Sequence, residues 1–205
     1  MIEGGGYKIY TTQDSTIQSG MEEIYRSGDH IFSGREKNSD GSLVNTGHTQ
    51  SAMVVIDHKT GYVVGCMGGL GDDVDSTGIN RATQSTRQPG SSMKPIAAIA
   101  PGLESGIITA ATVYDESSTD FGNYHPTNSG RGLITVRKAL EISANTTEVK
   151  IMSELGPRNS IEYLRKMGIT SLVTAEDNAE HNDENLAMVL GGLTNGITPL
   201  EMAGA

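Results

Sequence analysis

Two apolar runs separated by a short turn constrain this chain more than any other feature. Ala52-Met53-Val54-Val55-Ile56 and Tyr62-Val63-Val64-Gly65-Cys66-Met67 flank the polar turn Asp57-His58-Lys59-Thr60-Gly61. β-Branched residues crowd both runs, and each run is too short for a typical helix. They read as a β-hairpin closed by a turn that ends in glycine. Both arms are almost continuously apolar, as expected of strands inside a sheet covered on two faces.

Elements can be predicted on either side of this hairpin. Tyr7 to Thr12 alternates and is rich in β-formers, so its spacing predicts a short strand. Asp14 then predicts the N-cap of a helix carrying Ile17, Met21, Ile24 and Tyr25. Residues 27–50 are polar and broken by Gly28, Gly34, Gly41 and Gly47, which predicts a long surface loop. Asp72 to Gln88 predicts another irregular stretch. Helices are predicted over 91–104, closed by Gly106, and over 136–142, 146–155 and 158–167. Leu186 to Leu190 is an apolar run ending at Gly191-Gly192, and Thr198-Pro199 opens a last helix with proline in the favoured first turn. Strands come first and helices afterwards, so the fold class is α+β, mixed.

Composition removes several classes of function. A chain of 205 residues accommodates one domain or two small lobes. Its formal net charge of −10 argues against a nucleic-acid partner, whose phosphates call for a basic surface. Cys66 is the single cysteine, which excludes an internal disulfide and a Cys-rich metal site; its apolar neighbours predict a small buried side chain. Five histidines are scattered without ligand spacing. Asp73-x-Asp75-x-Thr77-Gly78 imitates the opening of a calcium loop, but Gln84 stands where a bidentate carboxylate belongs. Gly68-Gly69-Leu70-Gly71 follows a strand without the spacing or the helix of a dinucleotide loop. No metal and no cofactor is therefore expected. No run approaches the ~20 apolar residues of a membrane span, and no signal peptide is visible.

Chemistry concentrates in Arg87-Gln88-Pro89-Gly90-Ser91-Ser92-Met93-Lys94-Pro95. On a helix, residues three apart lie on one face, so Ser91 and Lys94 can interact. A serine needs an adjacent base to become a nucleophile. A lysine serves as that base only if burial or nearby positive charge lowers its pKa from about 10.4. The helix start supplies positive potential, and Gly90 lets the chain turn sharply beside Ser91. Pro95 is tolerated only near a helix start, which fixes where that start lies. An N-cap serine with a solvated lysine one turn later would show the same letters. Downstream, Ser143-Ala144-Asn145 places a hydroxyl and a carboxamide two residues apart at a junction between helices. Such a pair can relay a proton and hold a peptide carbonyl, although a helix cap explains it equally well.

Together these motifs and their flanks resemble the transpeptidase domain of class A penicillin-binding proteins. The resemblance runs nearly from end to end. It takes in Tyr7 to Asp14, Val54 to Gly69, Asn80-Arg81-Ala82, Arg87 to Pro95 and Leu103 to Ile108. It continues through Tyr124, Pro126 and Asn128, Ala139 to Asn145, Gly191-Gly192 and Gly196 to Ala203. It implies a serine transpeptidase fold, related to that of β-lactamases, with an antiparallel sheet flanked by helices and an all-helical lobe. Residues 1–90 would supply the entrance strand, helix, loop and hairpin, and 91–205 the nucleophile helix and helical lobe. Ser91 would be the acylated nucleophile and its N–H half of an oxyanion hole, with Gly90 and Asn145 also lining the substrate site. Lys94 would take the Ser91 proton, Ser143 would shuttle a proton to the departing amine, and Asn145 would hold the stem-peptide amide. The implied substrates are peptidoglycan stem peptides, a D-Ala-D-Ala donor and an amine acceptor, with β-lactam antibiotics trapping Ser91.

The family also carries a third motif, Lys-Thr/Ser-Gly, on an inner strand. Lys59-Thr60-Gly61 has the letters but precedes Ser91 at a hairpin tip, so it is not that motif. The working copy is expected beyond Ala205, which makes this chain an incomplete part of the domain, inactive alone, with the C-terminal remainder as its partner. The resemblance further implies a parent anchored at the extracytoplasmic face of a bacterial membrane. A serine β-lactamase, a D,D-carboxypeptidase or a non-turnover β-lactam sensor are the alternatives. The only Glu-x-x-x-Asn spacing, Glu141 to Asn145, overlaps the second motif.

Overall fold

The computed structural model describes residues 5–27, 35–37, 43–45, 50–70, 78–117, 120–122, 124–127 and 130–205. They fall into two compact units, one reaching to Ser85 and the other spanning Thr86–Ala203.

The first unit is built on the predicted hairpin. Strands β3 (Met53–Asp57) and β4 (Tyr62–Met67) pair antiparallel, with a register shift between Val55 and Ile56. The turn closes on Asp57, whose carboxylate accepts from the Lys59 N–H and the Thr60 hydroxyl. Helix α1 (Ser15–Ser27) lies against β4 and starts where predicted, with Asp14 Oδ1 accepting from Thr16 N and Ile17 N. Gln18 on this helix takes the place of a neighbouring strand, donating to Cys66 O and accepting from Cys66 N. Close approach needs the glycine on β4, since a Cβ at Gly65 would lie 2.5 Å from Met21 Sδ. Cys66 is half-buried rather than buried.

Three expectations here need correction. Tyr7 to Thr12 joins no ladder among the described residues; instead the Thr12 hydroxyl donates to Val63 O on the edge of β4. Extended propensity alone does not make a strand when a side chain occupies the available edge. The predicted loop over 27–50 contains a second hairpin, β1 (Arg35–Lys37) with β2 (Leu43–Asn45). Its charged first arm carries no apolar alternation to reveal it. The polar stretch after Asp72 contains α2 (Arg81–Gln84), capped by Asn80 Oδ1 on Ala82 N. Asp73, Asp75 and Thr77 of the calcium-like letters lie outside the described residues, as does Asn128.

The second unit is helical around α5 (Asn145–Leu155). Thr146, Thr147, Glu148 and Val149 are consecutive and all buried, so this end of α5 is enclosed on every side rather than amphipathic. Around it pack α4 (Val136–Glu141), α6 (Pro157–Lys166) and a 3₁₀ turn (Leu186–Leu190), close to the predicted bounds. The short hairpin β5 (Val113–Asp115) with β6 (Leu133–Thr135) borders the same helix. The core includes Met93, Ile108, Ile151, Met152, Leu164 and Met188. Helix α7 (Pro199–Gly204) opens with the capping box Thr198/Glu201, and Glu201 also accepts from Thr170 and Ser171.

The helix predicted over 91–104 is three pieces in one rod: a 3₁₀ turn (Gly90–Met93), a π turn (Pro95–Ile99) and α3 (Ala100–Glu104). Pro101 accounts for the widening. It has no N–H for the Ala97 carbonyl four residues back, and its ring would clash there in a regular helix. The Ser160 hydroxyl of α6 donates to that carbonyl at 2.6 Å instead.

Candidate active site

Ser91 stands in the 3₁₀ turn on a backbone fixed from behind. Gly90 has φ +59°, a left-handed conformation that disfavours any side chain. Gly191 presses against it, and a Cβ there would lie 2.3 Å from Gly90 N. Arg87 and Ile197 form an antiparallel bridge, with N···O distances of 3.0 and 2.9 Å. The Gln88 side-chain amide binds both the N–H and the carbonyl of Leu193. Residues 87–90 are therefore held by 191–197. Ser91 itself is exposed, and its hydroxyl makes no hydrogen bond among the described residues.

Lys94, by contrast, is 1% exposed and fully engaged. Its Nζ donates to Ser143 O at 2.7 Å, Ser143 Oγ at 3.0 Å and Asn145 Oδ1 at 2.7 Å. Three ammonium protons meet three acceptors. Burial holds the Lys94 pKa below the usual lysine value, while the carboxylates of Glu148 and Glu116 pull it back upward. Lys94, Ser143 and Asn145 are thus brought together as one polar cluster, with Ser91 beside it but not bonded to it.

The second motif is arranged for this contact rather than for capping. Ser143 has φ +54°, unusual for a residue with a side chain, and this turns its carbonyl as well as its hydroxyl toward Lys94. Asn145 Nδ2 donates to Thr127 O at 3.0 Å, which fixes the amide so that Oδ1 faces the lysine. Neither residue caps α5. Ala144 occupies the cap position, and the cap is supplied by Glu116, just past β5. Its carboxylate accepts from Thr146 N (3.3 Å), Thr147 N (2.8 Å) and Thr147 Oγ1 (2.7 Å).

Two carboxylates near the lysine have no signature in the sequence. Glu116 and Glu148 are both fully buried beside the lysine. Carboxylates in a chain this acidic read as solvated, and no local pattern marks these two. A faint signal existed for Glu148, which falls one turn after Asn145 in a run otherwise composed of buried residues. Among the described residues no cluster of His, Cys, Asp and Glu is placed to hold a metal ion.

Residues 51–205 match the family described as Penicillin binding protein transpeptidase domain. The chain belongs to that family. Among curated proteins it is 32% identical over 98% of its length to Penicillin-binding protein 1F of Bacillus subtilis (strain 168), covering 25% of that protein. It is 31% identical over 82% of its length to Penicillin-binding protein 1A of Clostridium perfringens (strain 13 / Type A), covering 26% of it. The chain thus spans about a quarter of the length of these relatives. Among solved structures, the penicillin-binding protein PonA1 from Mycobacterium tuberculosis superposes with a TM-score of 0.71 at 24% identity, over 95% of this chain and 47% of that one. Penicillin-Binding Protein 1A from Haemophilus influenzae gives 0.60 at 25% identity, over 82% of this chain and 25% of that one. The mixed fold, with small antiparallel sheets and several helices, is the transpeptidase fold of these neighbours.

Proposed function

We propose that this chain carries the nucleophile-bearing part of a peptidoglycan D,D-transpeptidase. One observation carries the reading: a buried lysine amine, bonded to both polar residues of Ser143-x-Asn145, one 3₁₀ turn from an exposed serine. The Ser91 oxygen attacks the carbonyl of the penultimate D-Ala as Lys94 takes its proton, and the peptide C–N bond then breaks. Ser143 passes a proton to the leaving D-Ala nitrogen. The acyl-enzyme is resolved by the amine of a second stem peptide, which restores the Ser91 hydroxyl and completes the cross-link. The Ser91 N–H serves as one donor to the oxyanion.

The three acceptors around Lys94 suit this sequence because they are unequal. Ser143 O and Asn145 Oδ1 can only accept, whereas the Ser143 hydroxyl can also donate. A neutral Lys94 keeps its two remaining N–H groups on the fixed acceptors and offers its lone pair toward the hydroxyls. Ser143 can then reverse and relay a proton. The remaining strands with the Lys-Thr/Ser-Gly motif follow this segment in the parent, which acts at the extracytoplasmic face of a bacterial membrane; no described helix is long and apolar enough to cross one.

Fluorescent penicillin tests the proposal. Full-length protein should be labelled at Ser91 and release the label slowly, and residues 1–205 alone should label poorly. An unlabelled Ser91 in the full chain would overturn the assignment. Rapid turnover of penicillin would favour a hydrolase.

A further inference from the structure

Glu148 is a buried carboxyl whose placement the chemistry above leaves unexplained. It is 0% exposed, lies in the first turn of α5, and neither of its oxygens has a hydrogen-bond partner among the described residues. The Thr146 hydroxyl two residues earlier is buried and unpartnered as well. A buried ionised carboxylate without donors is strongly disfavoured, so the group resides there as the neutral acid. Burial pushes its pKa up to about 8, with Lys94 drawing it down and Glu116 adding to the rise.

The charged groups facing Glu148 are few. Lys94 lies at the end of the 3₁₀ turn, and Glu116 lies between β5 and α5 with its charge met by three donors. Other titratable groups on the packed elements lie toward solvent: Glu104 on α3, Arg137, Lys138 and Glu141 on α4, and Arg158, Glu162, Arg165 and Lys166 on α6 are exposed. Tyr163 on α6 is half-buried. Tyr114 on β5 is turned to Glu154 of α5, Lys150 of α5 bonds Asp115 O, and Asp115 bonds Ser117. The π turn and the 3₁₀ turn Leu186–Leu190 carry none.

We propose that Glu148 is a positioning residue that sets the charge of Lys94, and through it the pH range over which Ser91 can be acylated. As the neutral acid it leaves Lys94 facing one compensating carboxylate, Glu116, so the lysine can lose its proton and act as base. Once ionised it adds a second negative charge that holds Lys94 as the ammonium and withholds the base. The inference rests on the transpeptidase reading for its functional consequence, but not for the coupling itself.

The test is made on the full chain with Glu148→Gln, which keeps shape and removes the ionisation. The ratio of penicillin acylation rates, variant over wild type, should rise by roughly tenfold between pH 6.5 and 9.5, the equivalent of one unit in the Lys94 pKa. A flat or falling ratio overturns the proposal, because a merely structural role changes the rate by the same factor at every pH. Carbon-13 titration reads the coupling without any reaction. In wild type, the Lys94 Cε resonance should shift in step with the Glu148 carboxyl near pH 8. In the variant, Lys94 should titrate about one unit lower. A Glu148 that ionises below pH 6, or an unchanged Lys94, refutes the proposal even if Ser91 is never acylated. Absent acylation with coupling intact would instead count against the transpeptidase reading alone.

Discussion

Ser91 and Lys94 are three positions apart, yet the structure treats them as opposites. Ser91 is exposed and unbonded, so Ser91→Ala should abolish labelling while changing stability by no more than about 0.5 kcal/mol. Lys94→Ala removes the donor from three acceptors at once. It should lower acylation by roughly 10²–10⁴-fold and destabilise the fold by about 1–3 kcal/mol, read by labelling rate and by thermal melting. Glu148 predicts a pH dependence of stability. Its carboxyl keeps a proton up to about 8 when folded but releases it near the ordinary glutamate value of 4.5 when unfolded. Across that window the unfolded chain binds fewer protons, so stability falls as pH rises, by roughly 1.4 kcal/mol per unit at most. Melting temperatures of wild type should therefore drop more steeply from pH 5 to pH 8 than those of Glu148→Gln. Ser91, Lys94 and the Ser-x-Asn pair stand out as letters, because the proposed chemistry needs fixed residue types at fixed spacing, and the structure brings Lys94, Ser143 and Asn145 into contact. The two carboxyls do not stand out, because burial depends on elements far apart in the chain.

At the scale of elements, the predicted helix starts and stops held best where a cap or a proline dictates them. Asp14, Thr135, Asn185 and Thr198 each cap the element that follows. Pitch was less legible. Pro101 marks 91–104 as irregular but does not announce a 3₁₀ turn passing into a π turn, since the freed Ala97 carbonyl is met by the Ser160 hydroxyl of another helix. The close approach of Gly191 to Gly90 was equally hidden, although both glycines stand out in the sequence. Gly191→Ala should cost roughly 3 kcal/mol or more, since alanine would have to hold φ +79° and drive a methyl into the Gly90 backbone. Because that backbone leads into Ser91, labelling should fall along with the melting temperature.

At the scale of the whole chain, fold class and family were legible because many weak signals agreed, from the hairpin to the last capping box. Hydrogen exchange should grade the molecule accordingly. Amides of α5 and of the turns carrying Met93 to Ile99 should exchange slowest among the described residues of the second unit, and amides of Tyr7 to Thr12, which join no ladder among the described residues, faster than those of β3 and β4. The pinning of residues 87–90 by 191–197 has a further consequence for synthesis. Gln88 meets Leu193 across a sequence separation of 105, so a nascent chain emerging from the ribosome cannot finish the turn that carries Ser91 until residue 193 of these 205 has been made. A closure of such long range is slow, and the backbone that leads into Ser91 is assembled among the last contacts rather than the first.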